Sequence, residues 1–305
     1  MALGNGEMRV GIDYGGTKIA GIGLNAQGQP VAEARVPTPR HDYDRGLHAI
    51  VELVDQLEAQ AGSSVAQVGV GVPGSVDRST GRVSLGNSVW LHNRDLREDL
   101  AAHLGCPVKI ANDANCFALS EAVDGAGKGA QVVFGAILGT GVGGGVVVGG
   151  KLIEGINAVG GEWGHIPLPS PTKDEQPGPM CSCGVPGHIE AWLSGPSLAA
   201  DHARKTGGDG ALGAPQIVAL ADQGDPSALA TLERFEDRLG RALAVIVNLI
   251  DPDVIVLGGG LSNVTRFYET VPAKIEPHVF GDRFRTKFVQ NVHGDASGVR
   301  GAAWL

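Results

Sequence analysis

Asp13-Tyr14-Gly15-Gly16-Thr17-Lys18, set between apolar residues 10–12 and 19–24, returns in altered form as Gly139-Thr140-Gly141-Val142-Gly143-Gly144, set between Val132–Leu138 and residues 145–148. Each copy reads as apolar strand, Gly/Thr turn, apolar strand. Two copies of one supersecondary unit in 305 residues predict a duplicated domain with two lobes. Working outward, the polar break at 25–29 leads to a third strand at 31–36, closed by Pro37 and Pro39. Leu47, Ile50, Val51, Val54 and Leu57 recur at helical spacing, so 44–61 reads as an amphipathic helix. A short strand at 68–72 stops at Pro73-Gly74, and a helix at 95–104 feeds a strand at 108–111 that delivers Asn112-Asp113 at its end. Residues 115–123 read as helix; late in the chain, the helix Pro226–Ile250 leads to a strand at 254–257 and to Gly258-Gly259-Gly260. Strands first and helices after, twice over, predict an α/β layered fold. Residues 167–179 hold five prolines without periodicity and read as a loop.

Composition narrows the function classes. Hydrophobic residues make up 43% and charged residues 19%, enough to bury a core. The net charge of −9 gives no basic surface to a phosphate backbone, so no nucleic-acid partner is expected. Apolar runs such as Val132–Leu138 are too short to cross a bilayer, and no signal-peptide pattern opens the sequence. Four cysteines (Cys106, Cys116, Cys181 and Cys183) are too few for a disulfide scaffold, which favours the reducing cytoplasm. Glycine is in excess at 48 residues, clustered where strands end, and that pattern points to phosphate handling.

Three phosphate motifs compete on spelling alone. Gly69, Gly71 and Gly74, and again Gly139, Gly141 and Gly144, match the dinucleotide fingerprint, but neither set opens a helix as that motif requires. Gly145 with Gly150-Lys151 has P-loop spacing but carries Leu152 where Ser or Thr must meet the metal. What remains is a pair of hairpin turns whose backbone N–H groups and Thr17 and Thr140 hydroxyls form anion nests. Asp13 beside the first is positioned to hold Mg²⁺, directly or through water. Ordinary tight hairpins are the alternative.

These segments, with Gly258-Gly259-Gly260, resemble the nucleotide-binding segments of the ROK sugar kinases, and the resemblance runs from Arg9 to Leu305. It implies the duplicated actin-like, ribonuclease-H-like fold: an N-terminal lobe over 1–115, a C-terminal lobe over 116–295 carrying a metal loop, and 296–305 packing back onto the first lobe. It implies ATP-dependent phosphorylation of a hexose 6-hydroxyl, with nucleotide contacts at Gly11, Asp13, Gly15, Gly16, Thr17, Lys18, Gly139, Thr140, Gly141, Gly143, Gly144, Gly258 and Gly259. Asp113 falls on the family's catalytic base; read without the family, Asn112 or Asp113 serves equally as a helix N-cap. Glu162, His165 and Glu190 resemble the sugar contacts, joined by Gly74, Ser75, Asn112, Asp113 and Asn87.

His165 with Cys181-Ser182-Cys183-Gly184-Val185-Pro186-Gly187-His188 offers two thiols and two imidazoles, a standard tetrahedral zinc set. The family pattern has a third cysteine where His188 stands; free cysteines without metal are the alternative. Within the family, Asn87–Leu91, Glu121–Gly125 and the stretch around Trp163 look most like the fructokinase (manno-fructokinase) branch. The N-acetylglucosamine kinases, close by, usually carry Phe where Trp163 stands, and N-acetylmannosamine is a related substrate. The family also includes sugar-responsive repressors with an N-terminal helix-turn-helix; here eight residues precede the first expected strand. A nicotinamide oxidoreductase, raised by the two fingerprint matches, lacks the helices it needs. A homodimer is implied by the resemblance alone.

Overall fold

The computed structural model describes residues 3–4, 6–77, 80–84, 88–208, 210–281 and 283–305. Along the first part of the chain run β1 (Glu7–Tyr14), β2 (Lys18–Leu24), β3 (Pro30–Pro37), α1 (Tyr43–Ala61) and β4 (Ser64–Val72). A short ribbon of β5 (Ser75–Val76) and β6 (Val83–Ser84) precedes α2 (Leu96–Leu104), β7 (Val108–Asn112) and α3 (Asp113–Val123). The five long strands form one sheet in the order β3-β2-β1-β4-β7. The first hairpins are antiparallel, and β4 and β7 join in parallel.

The second part repeats this plan. β8 (Val132–Leu138), β9 (Val142–Val148), β10 (Lys151–Leu152), β11 (Val254–Gly258) and β12 (Lys287–Gln290) form a sheet in the order β10-β9-β8-β11-β12. In both sheets the strands lie third, second, first, fourth, fifth, with the last two parallel to the first. The duplication expected from the two Gly/Thr turns is therefore present in the topology. Between β10 and β11 lie α4 (Glu190–Leu193), α5 (Gly195–Thr206), α6 (Ala214–Asp222) and α7 (Pro226–Ile250); α8 (Arg266–Ile275) precedes β12, and α9 (Ser297–Ala303) ends the chain.

Contacts divide the chain into two compact units: the chain up to Gly129 with Gly145–Gly161 and Val292–Leu305, and Ala130–Gly144 with Glu162–Asn291. The boundary expected after residue 115 differs from this division, because α3 stays with the first unit. The cause is α9, which packs on α3, β1 and β4. In β1, side chains alternate between faces. Met8, Val10, Ile12 and Tyr14 enter a core with Leu47, Ile50, Leu53 and Leu57 of α1, while α9 covers the opposite face. α1 starts at Asp42, whose side chain accepts from Arg45 N–H, and ends at Gly62 in the left-handed region. In the second unit α7 is the spine, flanked by α5, α6 and α8, with Phe235 stacked on Phe267 at 5.4 Å. Among the described residues no helix is long and apolar enough to cross a membrane.

Candidate active site

In the first unit, the bend from Asp13 to Lys18 joins β1 to β2. Its carbonyls are held from β3 and beyond: Thr38 Oγ1 donates to Gly15 O at 2.7 Å, Thr38 N–H to Thr17 O at 3.1 Å, and Arg40 Nε to Gly16 O at 2.8 Å. With these carbonyls engaged, the exposed Gly16, Thr17 and Lys18 offer donors and a positive charge to an anion. Thr38 and Arg40 are absent from the sequence reading. Only the β2–β3 pairing brings them beside the bend, and nothing local announces it.

Asp13 is half-buried, and that burial pushes its carboxyl up from the usual range, with Lys18 opposing. A hard divalent cation relieves such a carboxylate, so Asp13 fits Mg²⁺. Gly11 has a different reason for being glycine. A Cβ there collides with the carbonyl of Val299, so the packing of α9 requires glycine at this position.

β7 ends at Asn112, and α3 begins at Asp113. The geometry shows the capping role, shared between the two residues. Asn112 Oδ1 caps α3 through Ala114 N–H at 2.8 Å and Asn115 N–H at 3.2 Å. Asp113 is exposed at the first helical position, its Oδ1 accepting from Ala114 N–H at 2.8 Å. A carboxylate there is stabilised by the helix N-terminus. Asn112 Nδ2 donates to Gly74 O at 2.9 Å, and Ser75 Oγ donates to Ala158 O at 2.9 Å. Asn112, Asp113, Gly74 and Ser75 are thus one neighbourhood. Asn87 lies outside the described residues.

In the second unit, the bend Gly139–Val142 joins β8 to β9. Gly195 N–H donates to Gly139 O at 2.8 Å, and Val142 N–H donates to Glu190 Oε2 at 3.0 Å. Thr140 is exposed. No helix follows Gly144 or Gly74, so both dinucleotide matches fail structurally. Gly258 closes β11, and Gly259 turns the chain with its carbonyl accepting from Ser262 Oγ at 2.7 Å.

Glu162, His165 and Glu190 gather near the metal-type loop. Burial raises the Glu162 carboxyl, with His165 opposing. Burial also pushes Glu190 upward, but hydrogen bonds from Ser182 and Val142 outweigh it and leave Glu190 below the ordinary range. Ligand atoms of His165, Cys181, Cys183 and His188 all lie within 4.8 Å of one another. Cys181 Sγ is 3.7 Å from His165 Nδ1, and Cys183 Sγ is 3.2 Å from His188 Nδ1. Two thiols and two imidazoles so close suit tetrahedral zinc, with His188 filling the position the family gives to cysteine.

Trp163, one residue of the stretches that resemble the fructokinase branch, is 3% exposed. Its Nε1 donates to Gly143 O at 2.7 Å, and its ring meets Phe134 edge-on at 5.7 Å. It supports the second bend from inside the core.

The ROK family profile matches residues 9–305. The chain belongs to the ROK family. It is 41% identical over 303 residues to the N-acetyl-D-glucosamine kinase of Shigella flexneri serotype 5b (strain 8401), covering 98% of this chain and 99% of the relative. The ROK hexokinase of Thermus thermophilus superposes with a TM-score of 0.86 at 31% identity, covering 97% of each chain. The ROK family glucokinase of Streptomyces griseus, solved with glucose and AMPPNP, superposes with a TM-score of 0.77 at 30% identity, covering 97% of this chain and 98% of that one.

Among ROK-family features, those this chain builds most firmly are the two braced bends and the carboxylate at the start of α3. Each bend by itself can offer N–H donors to an anion, and the α3 carboxylate by itself can accept a proton.

Proposed function

We propose that this ROK-family chain is an ATP-dependent sugar kinase that phosphorylates the 6-hydroxyl of N-acetyl-D-glucosamine. The observation that carries the reading is the 41% identity over nearly the whole chain to an N-acetyl-D-glucosamine kinase. That identity outweighs the resemblance of Asn87–Leu91, Glu121–Gly125 and Gly161–Pro169 to the fructokinase branch. Trp163, within the last of these stretches, is a core side chain and supports no particular sugar.

Asp113 takes the proton of the sugar hydroxyl as that oxygen attacks the γ-phosphorus of ATP. The new P–O bond forms while the β–γ bridging bond breaks, and ADP leaves. The bends at Gly15–Lys18 and Gly139–Val142 bind the phosphates through N–H groups and the Thr17 and Thr140 hydroxyls. Gly258 and Gly259 serve the nucleoside end. Glu162, His165 and Glu190 accept from and donate to sugar hydroxyls, with Gly74, Ser75 and Asn112 on the side of the base. Asp13 holds Mg²⁺, which neutralises phosphate charge when bound. His165, Cys181, Cys183 and His188 hold a structural zinc that fixes the loop leading to Glu190. The protein is read as a cytoplasmic homodimer, supported by the family resemblance and the low cysteine count, with no nucleic-acid or membrane partner.

The test is a coupled ADP-release assay across N-acetylglucosamine, N-acetylmannosamine, glucose, mannose and fructose. N-acetylglucosamine is expected to give the highest kcat/KM; a preference for fructose, or no turnover with any sugar, overturns the reading. Metal analysis of protein purified without chelator is expected to find zinc, and a content near zero rejects that site. Sedimentation as a monomer rejects the dimer.

A further inference from the structure

Ser182 stands between the two thiols of the Cys/His cluster, exposed, and its hydroxyl donates to Glu190 Oε1 at 2.6 Å. The other oxygen, Oε2, accepts Val142 N–H at the end of the second bend. One carboxylate therefore spans from the metal-type loop to the Gly139–Val142 bend. The fit is close: a Cβ on Gly141 sits 2.7 Å from Oε2, so the bend and the carboxylate share one narrow space. Glu190 also begins the short α4, and Gly195 just beyond it braces Gly139 O from the other side.

Cys181 Sγ also approaches Oε1, at 3.7 Å, as a thiol donor. Ser182, at 2.6 Å, is the closer of these two donors to Oε1.

We propose that Ser182 is a positioning residue for nucleotide binding: through Glu190, its hydroxyl holds the Gly139–Val142 bend in the shape that grips the triphosphate, coupling the Cys/His loop to the phosphate site. The proposal rests on the kinase reading above, and it adds a residue that the sequence motif passes over. Glu190 has two tasks in this scheme, one toward sugar and one toward the bend. Losing the Ser182 hydroxyl frees the carboxylate to swing away from Val142 N–H, and the bend loses an anchor while all ligands of the metal cluster stay in place.

The experiment uses the full chain, zinc-loaded, as wild type, Ser182→Ala and Ser182→Thr. Calorimetry measures binding of a non-hydrolysable ATP analogue without sugar, and steady-state kinetics separates KM for ATP from kcat. A hydrogen bond to a charged group justifies an expected loss of roughly tenfold in analogue affinity for Ser182→Ala. KM for ATP should rise by a similar factor while kcat stays within about twofold, since the contact is made before and during transfer alike. Zinc content is expected to be unchanged, and Ser182→Thr is expected to restore affinity. If Ser182→Ala does not fold, Ser182→Thr against Ser182→Val makes the same comparison, hydroxyl against methyl. Wild-type affinity in the hydroxyl-free variant overturns the proposal, as does a loss that threonine does not restore or that appears only when zinc is lost. Failure of the kinase reading looks different: the wild type itself then binds no analogue and releases no ADP.

Discussion

Asn112 joins the start of α3 to the turn after β4. Its Nδ2 donates to Gly74 O at 2.9 Å while its Oδ1 accepts from Ala114 and Asn115. Cap and tether are separable, since serine caps a helix well but is too short to replace the amide donor. Asn112→Ser is expected to keep thermal stability close to wild type, because Ser and Asn cap about equally. Asn112→Ala should lose about 1 kcal/mol as well. Both should raise KM for the sugar, because both release Gly74. Denaturant melts with initial rates decide it; an Asn112→Ser enzyme with wild-type KM removes the tether from the site.

Asp113→Asn tests the base directly. Asparagine can still accept from Ala114 N–H, so the helix start survives, while proton acceptance from the sugar hydroxyl is lost. A positioned general base contributes roughly 10²–10⁴ in rate, so kcat should drop by at least about a hundredfold with an unchanged circular dichroism spectrum. Near-full turnover removes Asp113 from the chemistry.

How much of this was legible beforehand follows the range of the interactions. Both Gly/Thr bends, the strand to Asn112 and the helix Pro226–Ile250 were readable, since period-2 and period-3.6 patterns and local turn residues write them into short windows. Features set by distant chain segments were not. The close approach of α9 that requires glycine at position 11 comes from Val299 and Ala303, far along the chain. The same helix places Gly301 against the Cys116 backbone, which keeps α3 in the first unit and moves the boundary past residue 115. Thr38 and Arg40 reach the first bend only through strand pairing. The four metal-type ligands were legible because their donor chemistry and spacing identify them, whereas Ser182, a common residue in the same loop, carries no such mark.

Trp163→Phe separates packing from sugar choice. Phenylalanine keeps the edge contact with Phe134 but leaves Gly143 O without its donor. The lost hydrogen bond costs about 0.5–1.5 kcal/mol. The variant is therefore expected to melt lower than wild type yet rank the sugars in the same order. A switch in preference between fructose and N-acetylglucosamine would return Trp163 to the specificity argument.

Acid stability tests the second unit. Glu175, 7% exposed, faces Arg238 Nε at 2.8 Å and Arg241 Nη2 at 2.9 Å, and its Oε2 accepts Thr172 N–H at 2.9 Å. Burial alone raises this carboxyl, but the two guanidinium groups and the Thr172 N–H together bring it down to about 2 from an ordinary 4.5. Asp201, bonded to Arg204, Arg234 and Arg238, is lowered in the same way, burial opposed by that positive charge. A carboxylate with a depressed folded-state pKa contributes stability above its unfolded value, and that stability is lost as pH falls from about 4.5 through about 2. At about 1.4 kcal/mol per unit, Glu175 contributes at most about 3 kcal/mol at neutral pH. Glu175→Gln leaves Arg238 and Arg241 without their shared charge and should be less stable than wild type at pH 7 by up to about 3 kcal/mol. Protonating the wild-type carboxyl mimics the substitution, so the gap should shrink as pH falls below about 4.5. Urea midpoints for the two proteins between pH 7 and pH 3 measure this directly. A gap that stays constant over that range rejects the ion network as the source of the acid sensitivity.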